Sequence, residues 1–313
     1  MKQFNNVLLV GPFKRHLLTV ASGLMTASQS KLTLLSVTPE LEVPRIVTED
    51  GKKVDLQALL QKDVKEDLIK TAASLAEKDL RVKTVVREGH YPFIEIITQV
   101  QSKKHDLVMM LADGVGSLRD QLFGTLSMHL LRKCPCAVWI VKPTRRKKLR
   151  NVFAAVDPDT NDPTRDQLNV EILQRAMTVA QNNNAKLHVM HAWNALGGNS
   201  TRGRRWMSRQ EIRLYQEKVA ATHRDALNRF LEKYSDGSAV VHMLQGKPGE
   251  VIPKHVAHWN ADLLVMGTVC RTGIPGFFIG NTAETILNQV DCSVLTVKPK
   301  EFVSPVTPTE TSR

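Results

Sequence analysis

The sequence has no apolar run approaching the roughly 18 residues that a membrane-spanning helix needs, so a soluble protein is expected. Its start, MKQFNNVLLVGPFKRH, holds only a four-residue apolar run ending at Gly11 and Pro12. That is too short for the core of a signal peptide and suits a buried strand. Cysteine is scarce: four residues in 313, with Cys134 and Cys136 nearly adjacent, do not make a disulfide framework, and a reducing compartment, the cytoplasm, is expected. C-x-C also lacks the spacing of the common zinc ribbons, and no second ligand pair is evident. The pair therefore reads first as structural, with metal or redox chemistry as the alternative. No Ser/His/Asp order, no carboxylates paired on a common face and no P-loop are present, so no catalytic constellation can be assembled from spacing. A binding protein is expected rather than an enzyme.

What is present is ordinary globular material, 42% hydrophobic and 24% charged, in a chain long enough for about two domains at roughly 150 residues each. The net charge is +12, but half of it lies between Lys142 and Arg150, a stretch without an acid. Such a local run is read as a solvated connector before it is read as a polyanion site, so charge argues weakly for nucleic acid. The segment RGRRWMSRQ (202–210) mixes cations with an aromatic, as phosphate contact plus base stacking requires, yet it reads more simply as a solvated loop entering a helix.

The chain is internally repeated. Asp106 to Pro143 and Asp262 to Pro299 align without a gap at a constant offset of 156: Gly124 falls on Gly280, Leu131 on Leu287, Cys136 on Cys292, and Val141-Lys142-Pro143 on Val297-Lys298-Pro299. Upstream, REGHYPFIEIITQV (87–100) parallels QGKPGEVIPKHV (245–256), and VLLVGP (7–12) parallels FAAVDP (153–158). Within each copy, short β-rich runs alternate with amphipathic stretches, the pattern of a parallel sheet covered by helices. Strands are expected near 7–10, 32–37, 82–87, 107–111 and 137–141, and again near 152–156, 186–191, 239–244, 262–267 and 293–297. Leu60, Val64, Leu68, Thr71 and Leu75 form one helical stripe, and Leu17, Val20, Leu24 and Ala27 another. Ser208 and Glu211 stand at capping-box spacing ahead of a long helix with Ile212, Tyr215, Val219, Ala226 and Phe230 on its apolar face. These readings divide the chain into a first copy at 1–143, a basic linker at 144–150, a second copy at 151–299, and a Pro- and Thr-rich tail at 300–313 too poor in apolar residues to pack.

In an open α/β sheet, ligands bind beyond the carboxyl ends of the strands. There the second copy carries DLLVMGTVCRTGIPGFFIGNTAETIL, with Gly267, Gly273, Gly276 and Gly280 inside fourteen residues. Glycine lets backbone N–H groups approach a phosphate with no Cβ in the way, the start of the following helix favours an anion, and Asn281 and Thr282 add side-chain donors. The plainer alternative is that Asn281 and Glu284 form a capping box and the glycines only permit turns.

DLLVMGT, the glycine-rich loop, GNTAE and a last strand ending in VKP resemble the universal stress protein family, over both repeats. With LLRKCPCAVWIVKP in the first copy and GTVCRTGIPGFFIGNTAE in the second, the chain is similar to the tandem E-type members. The resemblance implies an α/β fold of two tandem universal-stress-protein-like (adenine nucleotide alpha hydrolase-like) domains, each a five-stranded parallel sheet flanked by helices. It also implies a stress-response role, resistance to DNA damage included, and a small ligand such as ATP. Nucleotide-binding members carry Gly, two residues, Gly, nine residues, Gly and then Ser or Thr, with an aspartate ending the first strand. The second copy offers Gly267, Cys270, Gly280 and Asn281 with Asp157, and Thr282 one residue on. The first has Leu111, Gly114, Gly124 and Thr125, with Gly11 at the aspartate's place. Leu111 sets a branched side chain where a ribose would approach, so the second copy is the better nucleotide candidate. Slow ATP hydrolysis stays open, as does any metal. The resemblance also implies pairing of the two repeats through their last strands, and a homodimer is a further expectation.

Other readings stand beside this one: a carrier of an apolar ligand, or a protein or nucleic-acid interaction module using the basic linker. Cys270, beside Arg271, invites a nucleophile, but no base is placed for it. His188, His191, His255 and His258 invite ligation, but the intervening strands make no obvious site, and a partly exposed helix explains the last two more simply.

Overall fold

The computed structural model describes residues 3–25, 30–49, 52–77, 80–112, 123–144, 148–158, 162–195, 208–268 and 279–307. In the first repeat the order is β1 (Asn6–Val10), α1 (Arg15–Met25), β2 (Lys31–Thr38), β3 (Arg45–Val47), β4 (Lys53–Asp55), α2 (Leu56–Ala76), β5 (Val82–Glu88), α3 (Pro92–Lys103), β6 (Leu107–Leu111), α4 (Thr125–Lys133) and β7 (Ala137–Val141). The second continues with β8 (Asn151–Ala155), α5 (Pro163–Asn183), β9 (Lys186–Trp193), α6 (Arg209–Tyr234), β10 (Val240–Gln245), α7 (Pro248–His258), β11 (Leu263–Gly267), α8 (Asn281–Leu287) and β12 (Ser293–Val297). Contacts gather the chain into two compact units, Gln3–Lys148 joined by the chain from Phe302, and Leu149–Glu301.

Each unit contains five parallel strands. The order is β5-β2-β1-β6-β7 in the first and β10-β9-β8-β11-β12 in the second. This is the fold class the sequence predicts, and every predicted strand forms. The strands β6, β7 and β12 are buried at every position, as apolar runs with helices on both faces must be. At the sheet margins β5 and β10 expose residues such as Val240 and Val241. The antiparallel pair β3–β4 was not foreseen, because three-residue strands with few buried positions leave no alternation to read.

The helices follow their stripes over the described residues, which do not include Ala27. On α2, Leu68 and Leu75 are buried. The box ahead of α6 forms: Glu211 N–H donates to Ser208 Oγ at 3.2 Å, and Ser208 N–H donates to Glu211 Oε2 at 2.7 Å. The repeat also has a polar signature. Asp106 accepts the backbone N–H groups of Asn5 and Asn6, and Asp262 accepts those of Arg150 and Asn151. Each carboxylate thereby fixes the entry of its unit's central strand.

Strand register corrects one equivalence. Val7 pairs with Leu107 as Val152 pairs with Leu263, and Val10 pairs with Leu35 as Ala155 pairs with Met190. Gly11 therefore matches Val156, and Pro12, not Gly11, stands at the place of Asp157. Similarity of short apolar strings does not fix register to one residue, whereas hydrogen-bond pairing does. The first repeat lacks the carboxylate either way.

The tail, read as unpacked, has a partner over its described part. Gln101 Nε2 donates to the Val306 carbonyl at 3.0 Å, and Val306 N–H donates to Ser304 Oγ at 3.1 Å. Backbone polar groups hold it where apolar side chains are few.

Candidate functional site

The strand order of the second unit reverses between β8 and β11: from β8 the chain continues outward to β9 and β10, then returns to place β11 and β12 on the other side. The carboxyl ends of β8 and β11 flank that switch point, the usual place for a ligand in an open α/β sheet. Asp157 follows β8 and Gly267 ends β11. Thr268 comes next, its N–H donating to the Val297 carbonyl at 3.3 Å while its own carbonyl accepts the Gly280 N–H at 2.8 Å. Gly280 is the N-cap of α8, with φ −76°. Lys298 is buried and its ammonium donates to Thr268 Oγ1 at 3.3 Å.

The sequence-predicted residues separate here. Asp157, Gly267 and Gly280 come to the ends of β8, β11 and the start of α8. Asn281 and Thr282 lie in the first turn of α8 and are exposed. The alternative capping box is corrected: Gly280 is the cap, Asn281 lies one residue inside the helix, and no side chain caps the end. The two glycines differ physically. A Cβ on Gly267 would stand 2.8 Å from Leu168 Cδ2 on α5, so helix packing alone accounts for that glycine. A Cβ on Gly280 would meet, among the described residues, only the Thr268 carbonyl at an ordinary 3.6 Å. Among the described residues neither packing nor φ requires glycine at 280. Gly114, Cys270, Gly273, Gly276, Arg271 and the cations of 202–207 lie outside the described residues.

Asp157 is closely held. Its backbone N–H donates to Asn169 Oδ1 at 2.9 Å, and Asn169 Nδ2 donates back to its carbonyl at 2.8 Å, a two-way clamp from α5. Its carboxylate pairs with the Arg165 guanidinium, also from α5, and lies 3.7 Å from His191 Nδ1. His191, from β9, is fully buried. Its Nδ1 stands 3.1 Å from the Val156 carbonyl, which can only accept, so Nδ1 carries the proton. Its Nε2 stands 2.8 Å from His223 Nδ1 on α6. Burial pushes the His191 pKa down to about 4; the Val156 carbonyl opposes this, and electrostatic interaction with His223 and with the Arg165 guanidinium reinforces it. At neutral pH His191 is therefore uncharged and accepts from the His223 N–H. It positions groups around Asp157 and is not its counter-ion.

Asn169, Arg165 and His223 escaped the sequence reading. The available signal was spacing: Arg165 and Asn169 stand one helical turn apart on the helix that follows Asp157. Among the described residues the first repeat has no such assembly. Ser36 matches His191, and buried Leu111 matches Gly267. Gly124 caps α4 with no side-chain cap bond, and Thr125 opens that helix exposed to solvent.

The histidines thought too scattered for a site partly converge. His188 stacks on Phe153 at 4.3 Å and its Nδ1 lies 2.9 Å from His242 Nε2, while His255 meets His242 edge-on at 4.5 Å. Trp259 closes the group, 5.1 Å from His242. Burial is the main cause that lowers all three imidazole pKa values. His242 had no place in the sequence reading, because a lone histidine in an edge strand carries no spacing signal. His258 meets the Trp259 ring edge-on at 6.1 Å and is exposed. Among the described residues no group of three or more His, Cys, Asp or Glu is arranged to hold a metal, and no helix is long and apolar enough to cross a membrane.

Comparison with known proteins agrees with this architecture. The model of the Universal stress protein family matches residues 12–142 and 150–298. Universal stress protein E of Salmonella typhi is 32% identical over 216 residues, covering 69% of this chain and 68% of that protein. Its counterpart in Escherichia coli K12 is 31% identical over 216 residues, covering 69% and 67%. Among solved structures, a functionally unknown protein from Pseudomonas aeruginosa PAO1 superposes with a TM-score of 0.72 at 25% identity, over 95% of this chain and 94% of that one. A universal stress protein from Archaeoglobus fulgidus shares the fold, with a TM-score of 0.62 at 18% identity over 96% of this chain and 98% of that one.

Proposed function

The chain belongs to the universal stress protein family, and from that premise we propose that its second repeat binds a small ligand, an adenine nucleotide such as ATP, in support of resistance to stress such as DNA damage. One observation carries the reading: a clamped carboxylate, Asp157, and a glycine that no packing among the described residues requires, Gly280, flank the switch point of the same sheet. These residues fit the group. Asp157 offers acceptors to an amine or to hydroxyls, and the bare backbone at Gly280 lets a phosphate come close. Arg165 adds a guanidinium suited to phosphate once the ligand's own donors take its place on Asp157. Asn281 and Thr282, exposed on the first turn of α8, add neutral donors. The first repeat, with Pro12 and Leu111 in the corresponding places, is a structural partner in this reading.

The test is to denature freshly purified protein and identify what it releases by mass spectrometry. Release of ATP or AMP is expected, and its loss in Gly280→Val with unchanged circular dichroism ties the ligand to this loop. An empty protein whose melting temperature does not move on addition of ATP would overturn the reading.

A further inference from the structure

The turn between α4 and β7 holds two thiols in contact. Pro135 cannot donate a backbone N–H and disfavours helical geometry in the residue before it. Cys134 accordingly leaves the helix, with φ −68° and ψ 132°, and caps α4 through its N–H to the Leu130 carbonyl. Two residues later β7 begins, and the reversal sets Cys134 Sγ 3.6 Å from Cys136 Sγ. Both are thiols, not a disulfide. They differ in access: Cys134 is fully buried, while Cys136 is partly exposed. The second repeat gives the internal comparison. Its pairing matches Cys136 to Cys292 and Cys134 to Val290, so the same turn there carries one cysteine where the first repeat has two.

We propose that Cys134 and Cys136 form a reversible redox site that low-molecular-weight disulfides such as oxidised glutathione convert to an intrachain disulfide. Access sets the order of events. The Cys136 thiolate attacks the small disulfide, forming a mixed disulfide and releasing one thiol. Cys134, already in contact, then attacks the Cys136 sulfur and expels the second thiol. The two electrons lost by the cysteine pair reduce the small disulfide, and the two protons end on its thiols. Bond formation brings the sulfurs from 3.6 Å to about 2.05 Å, a closure within one short turn. Pro135 favours this outcome over intermolecular linkage because it holds the pair together before oxidation.

The full chain is incubated in graded mixtures of reduced and oxidised glutathione, quenched with acid, alkylated and mapped by mass spectrometry. A Cys134–Cys136 disulfide should accumulate as the mixture becomes more oxidising and disappear on addition of dithiothreitol, with Cys292 still alkylated as a thiol. Cys134→Ser should stop at glutathione attached to Cys136, and Cys136→Ser should leave Cys134 unmodified. A wild-type chain that keeps glutathione on Cys136 without resolving it, that leaves both thiols unreacted, or that links either one to another cysteine overturns the proposal.

Discussion

Lowering the pH from 7 to 5 should destabilise the second repeat through one imidazole. His191 is held to a pKa of about 4 against 6.5 for a free histidine, chiefly by burial. An unfolded chain takes up the proton below pH 6.5, whereas the folded chain resists it until about pH 4. The stability this group contributes is thus fully present above 6.5, falls as the pH drops below that value, and is lost below 4. At about 1.4 kcal/mol per pKa unit the whole loss is about 3 kcal/mol, and about 2 kcal/mol of it is gone by pH 5. The groups facing His191 are Asp157 and Arg165 on one side and His223 on the other. Replacement by asparagine keeps a donor for the Val156 carbonyl and removes the titration. Urea denaturation of the full chain, followed by tryptophan fluorescence with Trp193 as reporter beside His223, should show a steeper loss between pH 7 and 5 for wild type than for His191→Asn. The difference between the two proteins isolates His191 from the other buried histidines, whose pKa values are lowered in the same direction. Equal losses in both proteins, or a His191 ring that titrates near 6.5 in an NMR pH series, would refute the reasoning.

Further outcomes follow from the same geometry. Asn169→Ala removes both hydrogen bonds to the Asp157 backbone and should cost about 2 kcal/mol in chemical denaturation, with weaker nucleotide-induced thermal stabilisation if Asp157 contacts the ligand. Gly267→Ala drives a methyl group against Leu168 and should cost about 1–2 kcal/mol, lowering the melting temperature, because a flexible side-chain end can give part of the way. Ser208→Ala opens the capping box of α6 and should cost about 1 kcal/mol by the same denaturation assay.

The sheets were legible because every central strand is a dense apolar run bounded by turn residues, and the capping box because its two residues act over a single turn. The surroundings of Asp157 were not legible. They combine α5, β9 and α6, elements separated in sequence, and a polar residue such as Asn169 or His223 carries no local mark of what it will face. The histidine cluster shows the same limit: His188 and His242 are 54 residues apart and become neighbours only through the pairing of β9 with β10. Register was the subtler failure. Gly11 and Pro12 are adjacent, and only the β1–β6 and β8–β11 pairings decide which of them stands at the place of Asp157.

That register also determines what restoring the first repeat would take. Pro12→Asp supplies a carboxylate at the place of Asp157, but Ser36 there cannot reproduce the hydrogen-bonded imidazole pair of His191 and His223, and Leu111 keeps its side chain where Gly267 has none. Leu24 stands twelve residues after Pro12 as Asn169 does after Asp157 and has no amide to clamp the backbone, so a carboxylate at position 12 would lose conformational freedom on binding, which costs affinity. Pro12→Asp alone should therefore leave nucleotide stoichiometry unchanged in equilibrium dialysis, at the value set by the second repeat. A second equivalent of bound nucleotide in that single variant would show that the carboxylate is sufficient and that its surroundings do not matter.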